Sequence, residues 1–570
     1  MSIPDLLRVS RHLAIPGAYS RRSRLFVLLI AAIYLAAIGC MYLTEVDLFG
    51  RTLFLLALGL VNCAWLIVLR RPGMAAALSL VPIALIIILS KFKFEMLWMT
   101  ISFVDVMVVD ADTVSFLLAI YPQLRTVLIV AIIVGVPLLV LLWRHDPFRV
   151  QRGPVALGGT ACLAGVIALS NAVQEQPWEP FQGVNHVSNF TRSGVVAVSE
   201  LMSSSWLEAA AEAPDRLAVA AEESCQPSGK LPHIILVLDE ASFDITAAPN
   251  IAVPPGYGRH FLSFDGRARK FLVEGSGGPT WYTEYNVLTG LSARSYGRLK
   301  FFLTRIAADR VKRGLPQSLR RCGYKTFTLY PTRGAFLGAR RFQATTGIER
   351  FIDFTEMRAG DVEPDHFYYN RALELIERER GRSPLFVFVY TTANHFPWDT
   401  AYRPDLTPDW RPTGNDPEID EYIRRQSMSA RDYMDFVARL KQKFSGESFL
   451  IVRFGDHQPT FAARILNPSL PDEAVARRIQ TFDPQYFTTY YAIDAVNFRP
   501  AKLESALPTL DAPYLPLVVL EAAGLPLDAS FAAQKRILQR CEGVFYGCRH
   551  GAEARIFNRM LIDAGLIQGL

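Results

Sequence analysis

The sequence predicts two architectures in series: an N-terminal bundle of five transmembrane helices, then an exported α/β domain around a mainly parallel central sheet. Three observations predict this. Long uncharged runs crowd the first third of the chain. β-Branched runs alternate with helical stretches after residue 230. Side chains able to do chemistry cluster just past the ends of those β runs.

The run Leu25–Leu43 is long enough to span a bilayer, and similar runs follow at Thr52–Leu69, Met74–Ser90, Thr126–Trp143 and Pro154–Val173. That is too many for a cleaved signal peptide. Orientation follows from the short basic loops. Arg8, Arg11, Arg21, Arg22 and Arg24 precede the first span; Arg70 and Arg71 follow the second; Arg144, Arg149 and Arg152 follow the fourth. A cytoplasmic N-terminus and five crossings put everything after about residue 175 outside a bacterial cytoplasmic (inner) membrane, on the periplasmic side. The mixed segment 91–123 reads as an interfacial or re-entrant helix pair. Residues 1–175 are thus the membrane domain and 176–230 a juxtamembrane linker, with helices expected at Val195–Ala213 and Pro214–Glu223. Residues 231–530 form the α/β domain and 531–570 a C-terminal tail.

The net charge of +6 is modest, and the cytoplasmic flanks supply much of it, so nothing points to nucleic acid. Clean spans argue for an anchor rather than a transporter. Four of the seven cysteines fall in the exported part and permit two disulfides. Cys541–Cys548 would close a short loop, leaving Cys225–Cys322 as the other pair; free thiols are the alternative.

Strands are expected at Ile234–Leu238, Phe271–Val273, Lys325–Tyr330, Leu385–Tyr390 and Phe449–Phe454, with helices between them at Tyr282–Leu288, Ile306–Arg320, Tyr368–Arg380 and Glu418–Phe444. Ligands gather beyond the carboxyl ends of such strands. There the sequence places Asp239 and Glu240, the loop Glu274–Thr280, the stretch Asn394-His395-Phe396-Pro397, and the turn Gly455-Asp456-His457. Thr280 is either a helix N-cap or a nucleophile; a metal bound to its oxygen would activate it. Asp456, His457 and Glu240 would complete a mixed oxygen and nitrogen shell suited to Mn²⁺, Zn²⁺ or Mg²⁺.

This ordered set resembles the alkaline phosphatase/sulfatase superfamily, and within it the membrane-anchored lipoteichoic acid synthase and phosphoglycerol transferase branch. Asp239-Glu240-Ala241-Ser242-Phe243 is similar to its Glu-Ser-Phe metal motif with Ala241 inserted, which leaves Asp239 as an alternative to Glu240. Thr280 with Glu284 four residues on, Asn394-His395-Phe396-Pro397 and Gly455-Asp456-His457 match its other motifs. The resemblance implies a sulfatase-like fold and a divalent metal, Mn²⁺ first, held by Glu240, Thr280, Asp456 and His457. It implies a covalent intermediate on Thr280, with His395 as proton donor or acceptor. It implies substrate contacts from Arg340, Arg333, Glu284 and Asn394. The donor would be phosphatidylglycerol, or else phosphatidylethanolamine, and the acceptor a glycan or polymer hydroxyl. A hydrolytic phosphodiesterase and an inactive envelope-assembly scaffold are the other readings. A true sulfatase would need a Cys/Ser-x-Pro-x-Arg context, which Thr280 lacks.

Overall fold

The computed structural model describes residues 21–97, 100–108, 114, 118, 122–146, 148–173, 179, 182–203, 206–217, 225, 230–360, 362–381 and 383–568. Contacts divide the chain into two compact units, Met1–Phe103 with Pro122–Val198, and Val104–Tyr121 with Ser199–Leu570.

In the first unit, helices Arg21–Tyr42, Leu48–Leu69, Pro72–Leu97, Pro122–His145 and Arg152–Ala172 cover the five apolar runs. By length and composition, Leu48–Leu69, Pro72–Glu95 and Arg152–Ala172 are long and apolar enough to cross a membrane. Lys91–Leu97, assigned from sequence to an interfacial pair, continues the third helix, and a short helix follows at Phe103–Val108. Most of 109–121 lies outside the described residues.

The helix expected at Val195–Ala213 instead runs His186–Ser203. Its start is set by Glu45, whose buried carboxylate accepts the Val187 N–H (2.9 Å) and the Ser188 hydroxyl. An anion on the free amides of a first turn is a stable arrangement. Residues 206–217 are irregular, and the rest of the expected Pro214–Glu223 helix lies outside the described residues.

The second unit holds an eight-stranded sheet: β1 His233–Asp239, β2 Lys270–Leu272, β3 Lys325–Leu329, β4 Arg350–Ile352, β5 Leu385–Tyr390, β6 Phe449–Gly455, β7 Thr488–Val496 and β8 Thr509–Asp511. The order is β4-β3-β5-β1-β6-β7-β2-β8. All pairs are parallel except β6–β7 and β2–β7, so β7 alone runs against the rest. β4 and β8 are too short for any periodic signal.

β1 is buried along its length, and its side chains divide by parity between two cores. Ile234, Leu236 and Leu238 pack with Phe388, Val452 and Tyr285; Ile235 and Val237 pack with Val389, Ile451, Leu373 and Phe436. The predicted Ile306–Arg320 helix is two, Leu303–Ala307 and Leu315–Arg321. Between them Asp309 takes a left-handed φ of 64° and Gly314 is extended. Residues 531–570, expected as a tail, contribute Phe531, Phe545 and Phe557 to the first core. Cys225 is bonded to Cys322 and Cys541 to Cys548, while Cys40, Cys63 and Cys162 are free thiols.

Gly455 ends β6 against the Ser242 carbonyl; a Cβ at this position would overlap that oxygen. Both partners are main chain, Gly455 at the end of β6 and Ser242 in the turn after β1, and cannot swing aside as a side chain could. Gly455→Ala should therefore lower stability by about 3 kcal/mol, read as a drop in the urea midpoint of the full-length protein.

Candidate active site

β1 and β6 are parallel neighbours, with Asp239 paired to Gly455, so Glu240 and Asp456 leave the sheet together. Successive side chains on a strand point to opposite faces. Asp239 accordingly turns to His260 Nε2 (2.7 Å) and the Tyr490 hydroxyl (2.5 Å). Glu240 turns the other way, toward Asp456 and His457. Of the two acids left open by the sequence, geometry puts Glu240 with the Asp-His pair. The inserted Ala241 takes a left-handed φ of 48°, which aims its N–H at Asp456 Oδ1 (2.9 Å).

Asp456 Oδ2 is buried with no hydrogen-bond partner and lies 3.3 Å from His457 Nε2. The same nitrogen is 3.5 Å from Glu240 Oε1 and 3.5 Å from Thr280 Oγ1. His457 Nδ1 faces the Gln458 carbonyl at 2.9 Å and so donates to it, leaving a lone pair on Nε2. Ligand atoms of Glu240, Asp456 and His457 all lie within 4.8 Å of one another. Burial, with the Asp456 charge added, pushes the Glu240 carboxyl well above the usual range. Two clustered buried carboxylates, one with an orphaned oxygen, and an imidazole lone pair form a donor set that fits a divalent cation.

Thr280 begins the helix Thr280–Thr289, whose N-cap is Pro279; its hydroxyl faces His457 rather than capping. The approach loop needs Gly277 (φ 73°) and Gly278 (φ 155°). The Gly277 N–H donates to the Gln458 carbonyl (3.2 Å), and the Thr283 hydroxyl donates to the Asp456 carbonyl (2.6 Å). The Gln458 side chain donates to the carbonyls of Gln485 and Thr488, at 2.9 and 2.8 Å. One buried residue thus ties the Asp-His turn to the Thr280 loop and to β7. No local sequence signal marks it.

His395 follows β5. Its Nδ1 donates to the Phe396 carbonyl (2.8 Å), and burial lowers its pKa to about 4 against the opposing effect of that hydrogen bond. Asn394 donates to Gln426 Oε1 (3.0 Å), and Gln426 donates to Ser242 Oγ (2.9 Å). Arg425, next on the helix Pro417–Lys443, donates to the carbonyls of His395, Pro397 and Thr400, each at 2.7 Å. Tyr422 on that helix donates to the Ala241 carbonyl (3.0 Å). These three residues hold the Glu240 and His395 loops together and were missed from sequence.

Other expected contacts fall elsewhere. Glu284 is buried, accepting from Gln343 (2.8 Å), and burial raises its pKa to about 7. Arg340 pairs with Asp353 and Glu356, both at 2.9 Å, and donates to the Phe351 carbonyl. Arg333 is exposed in the loop after β3.

The sulfatase family model matches residues 273–485. No curated protein matches the chain. Among solved structures, the Streptococcus pyogenes phosphoglycerol transferase GacH is similar at 16% identity over 62% of this chain and 87% of that one, with a TM-score of 0.46. The Neisseria meningitidis lipooligosaccharide phosphoethanolamine transferase EptA is similar at 12% identity over 90% and 96%, also at 0.46. The Listeria monocytogenes lipoteichoic acid synthase LtaP is similar at 17% identity over 51% and 72%, at 0.38.

Two predictions follow from this geometry. If the cluster holds a divalent cation, Glu240→Gln should weaken its binding more than about 100-fold by titration calorimetry, whereas Asp239→Asn, whose side chain bonds to His260 and Tyr490, should stay within about tenfold. Glu284 has a native pKa raised from 4.5 to about 7, so its contribution to stability is full below 4.5 and declines as pH rises to about 7. Glu284→Gln keeps the acceptor for Gln343 and should flatten that decline in urea midpoints.

Proposed function

For a chain carrying a sulfatase domain of the alkaline phosphatase superfamily and N-terminal apolar helices, we propose metal-dependent transfer of phosphoglycerol. The donor is membrane phosphatidylglycerol and the acceptor an extracytoplasmic glycan or polymer hydroxyl. The observation that carries the reading is the Thr280 hydroxyl, at the start of a helix and 3.5 Å from His457 Nε2 in the Glu240–Asp456–His457 cluster.

A divalent cation, Mn²⁺ first, held by Glu240, Asp456, His457 and the Thr280 oxygen, would lower the pKa of that hydroxyl and offset phosphate charge. Thr280 Oγ attacks the phosphorus, the bond from phosphorus to the diacylglycerol oxygen breaks, and that oxygen leaves with the proton Thr280 gives up. The positive dipole end of the helix Thr280–Thr289 would favour the phosphate oxygens at this hydroxyl. The acceptor hydroxyl then attacks the same phosphorus. With Nδ1 committed to the Phe396 carbonyl, His395 Nε2 takes the acceptor proton and passes it to Thr280 Oγ as the Thr280–phosphate bond breaks.

Five crossings with a cytoplasmic N-terminus would keep this site beside its lipid donor and raise the effective concentration. Arg333 remains the headgroup candidate. Arg340, engaged by two carboxylates, is given no such role. Phosphatidylethanolamine would pass through the same steps.

The test is diacylglycerol release from fluorescent phosphatidylglycerol by the full-length protein with Mn²⁺. Thr280→Ala should reduce it by about a thousandfold or more. Equal release by both proteins would overturn the assignment. The intact mass of a trapped Thr280 adduct distinguishes phosphoglycerol from phosphoethanolamine.

A further inference from the structure

The second unit generally matches its enclosed cations. Arg269 pairs with Asp265, Arg424 and Arg425 with Glu421, and Arg453 with Asp494. Arg313 donates to Ser530, Thr289 and Gln534. Among the described residues, Arg294 and Lys300 depart from this pattern. Arg294 is clamped between the rings of Phe482 (3.6 Å to the centroid) and Tyr546 (4.3 Å). Its buried Nε has no hydrogen-bond partner, and among the described residues no carboxylate pairs with the guanidinium. Lys300 lies over the same Phe482 ring (5.2 Å) and over Tyr282 (5.7 Å), again with no ion pair among the described residues.

Glu274, the acid whose charge acts on Lys300, is turned inward. Its carboxylate accepts from Asn286 Nδ2 (2.8 Å), the Ser292 hydroxyl (2.5 Å) and the Ala293 N–H (2.6 Å). Burial lowers the Lys300 pKa to about 8; Glu274 opposes this and the Arg294 charge reinforces it. A half-buried cation without a partner is costly, and two on one ring compound the cost.

We propose that Arg294 and Lys300 form a phosphate subsite floored by Phe482. A planar guanidinium already fixed between two rings has little conformational freedom left to lose and offers its outer N–H groups in a fork that matches phosphate oxygens. Lys300, which shares the Phe482 ring and feels the Arg294 charge, adds a point charge. Tyr282 beneath it is two residues past Thr280, so the subsite flanks the first turn of the helix that carries the reacting hydroxyl. None of its residues belongs to the Glu240–Asp456–His457 cluster. The phosphate comes from either the lipid donor or the acceptor; that choice rests on the transferase reading, while the existence of the subsite does not.

The test uses full-length Thr280→Ala protein in detergent, loaded with Mn²⁺, so that no turnover occurs. Lys300 is acetylated with a limiting reagent, and the modified peptide is quantified with inorganic phosphate or with chloride at equal ionic strength. Phosphate should slow Lys300 acetylation about tenfold, the factor one charge-assisted hydrogen bond is worth. Arg294→Gln should remove that protection. Equal acetylation in phosphate and chloride would overturn the subsite, whatever the catalytic result. In the Thr280 enzyme, Arg294→Gln that slows the diacylglycerol burst assigns the phosphate to the donor. A normal burst with slowed transfer assigns it to the acceptor. The protection measured without substitution at Arg294 decides the matter even if Arg294→Gln fails to fold.

Discussion

The contact between Gly455 and the Ser242 carbonyl is what the rest of the site depends on. It lets the ends of β1 and β6 close to main-chain distance, where a side chain would hold them apart. Only at that distance can the Ala241 N–H reach Asp456 Oδ1. That single bond fixes the carboxylate and leaves its second oxygen buried and unmatched. A buried unpaired carboxylate oxygen costs several kcal/mol, of the order that makes such groups rare outside functional sites.

Closing two strand ends does not place the loops that follow them. Gln458 does part of that work by accepting at its carbonyl from His457 and Gly277, and by donating from its side chain to the chain leading into β7. The rest is done from the opposite side by one face of the helix Pro417–Lys443. Tyr422, Arg425 and Gln426 stand at positions i, i+3 and i+4 and so project together. They reach two loops that are far apart in the chain, after β1 and after β5. A helix supplies such reach with little freedom of its own, which suits a site whose distances must hold within a fraction of an ångström.

How much was legible follows from the range of each interaction. The apolar runs and β1, β3, β5 and β6 were readable because their pattern is local and repeats. Asp456, His457 and Thr280 stood out in the sequence because the first two follow a strand at a glycine and the third opens a helix after a Gly-rich loop. Gln458 and Gln426 were not, since a glutamine is defined by partners it meets only after folding. Glu284, expected as a substrate contact, lies on the helix opened by Thr280 and is buried. Four residues after Thr280 is one turn further along the same face, and here that turn runs into the core against Gln343 and Tyr390. Arg340 was read from a loop motif, but the acids at Asp353 and Glu356, close in space, take its charge.

The acid that ends β1 and the one that follows it sit in opposite surroundings. Asp239 and Glu240 are adjacent, both buried, and both subject to the same desolvation. On the Asp239 face, that penalty is overcome by His260, with Tyr490 and Arg453 helping, and the carboxyl stays below its usual range. On the Glu240 face the neighbours are Asp456 and more acid, and the carboxyl is driven the other way. Within one strand the fold demonstrates that it can neutralise a buried carboxylate, and then leaves the next one without a protein cation. On the proposed function, a bound cation would supply that positive charge. The orphaned Asp456 oxygen and the lone pair of His457 mark where it would sit.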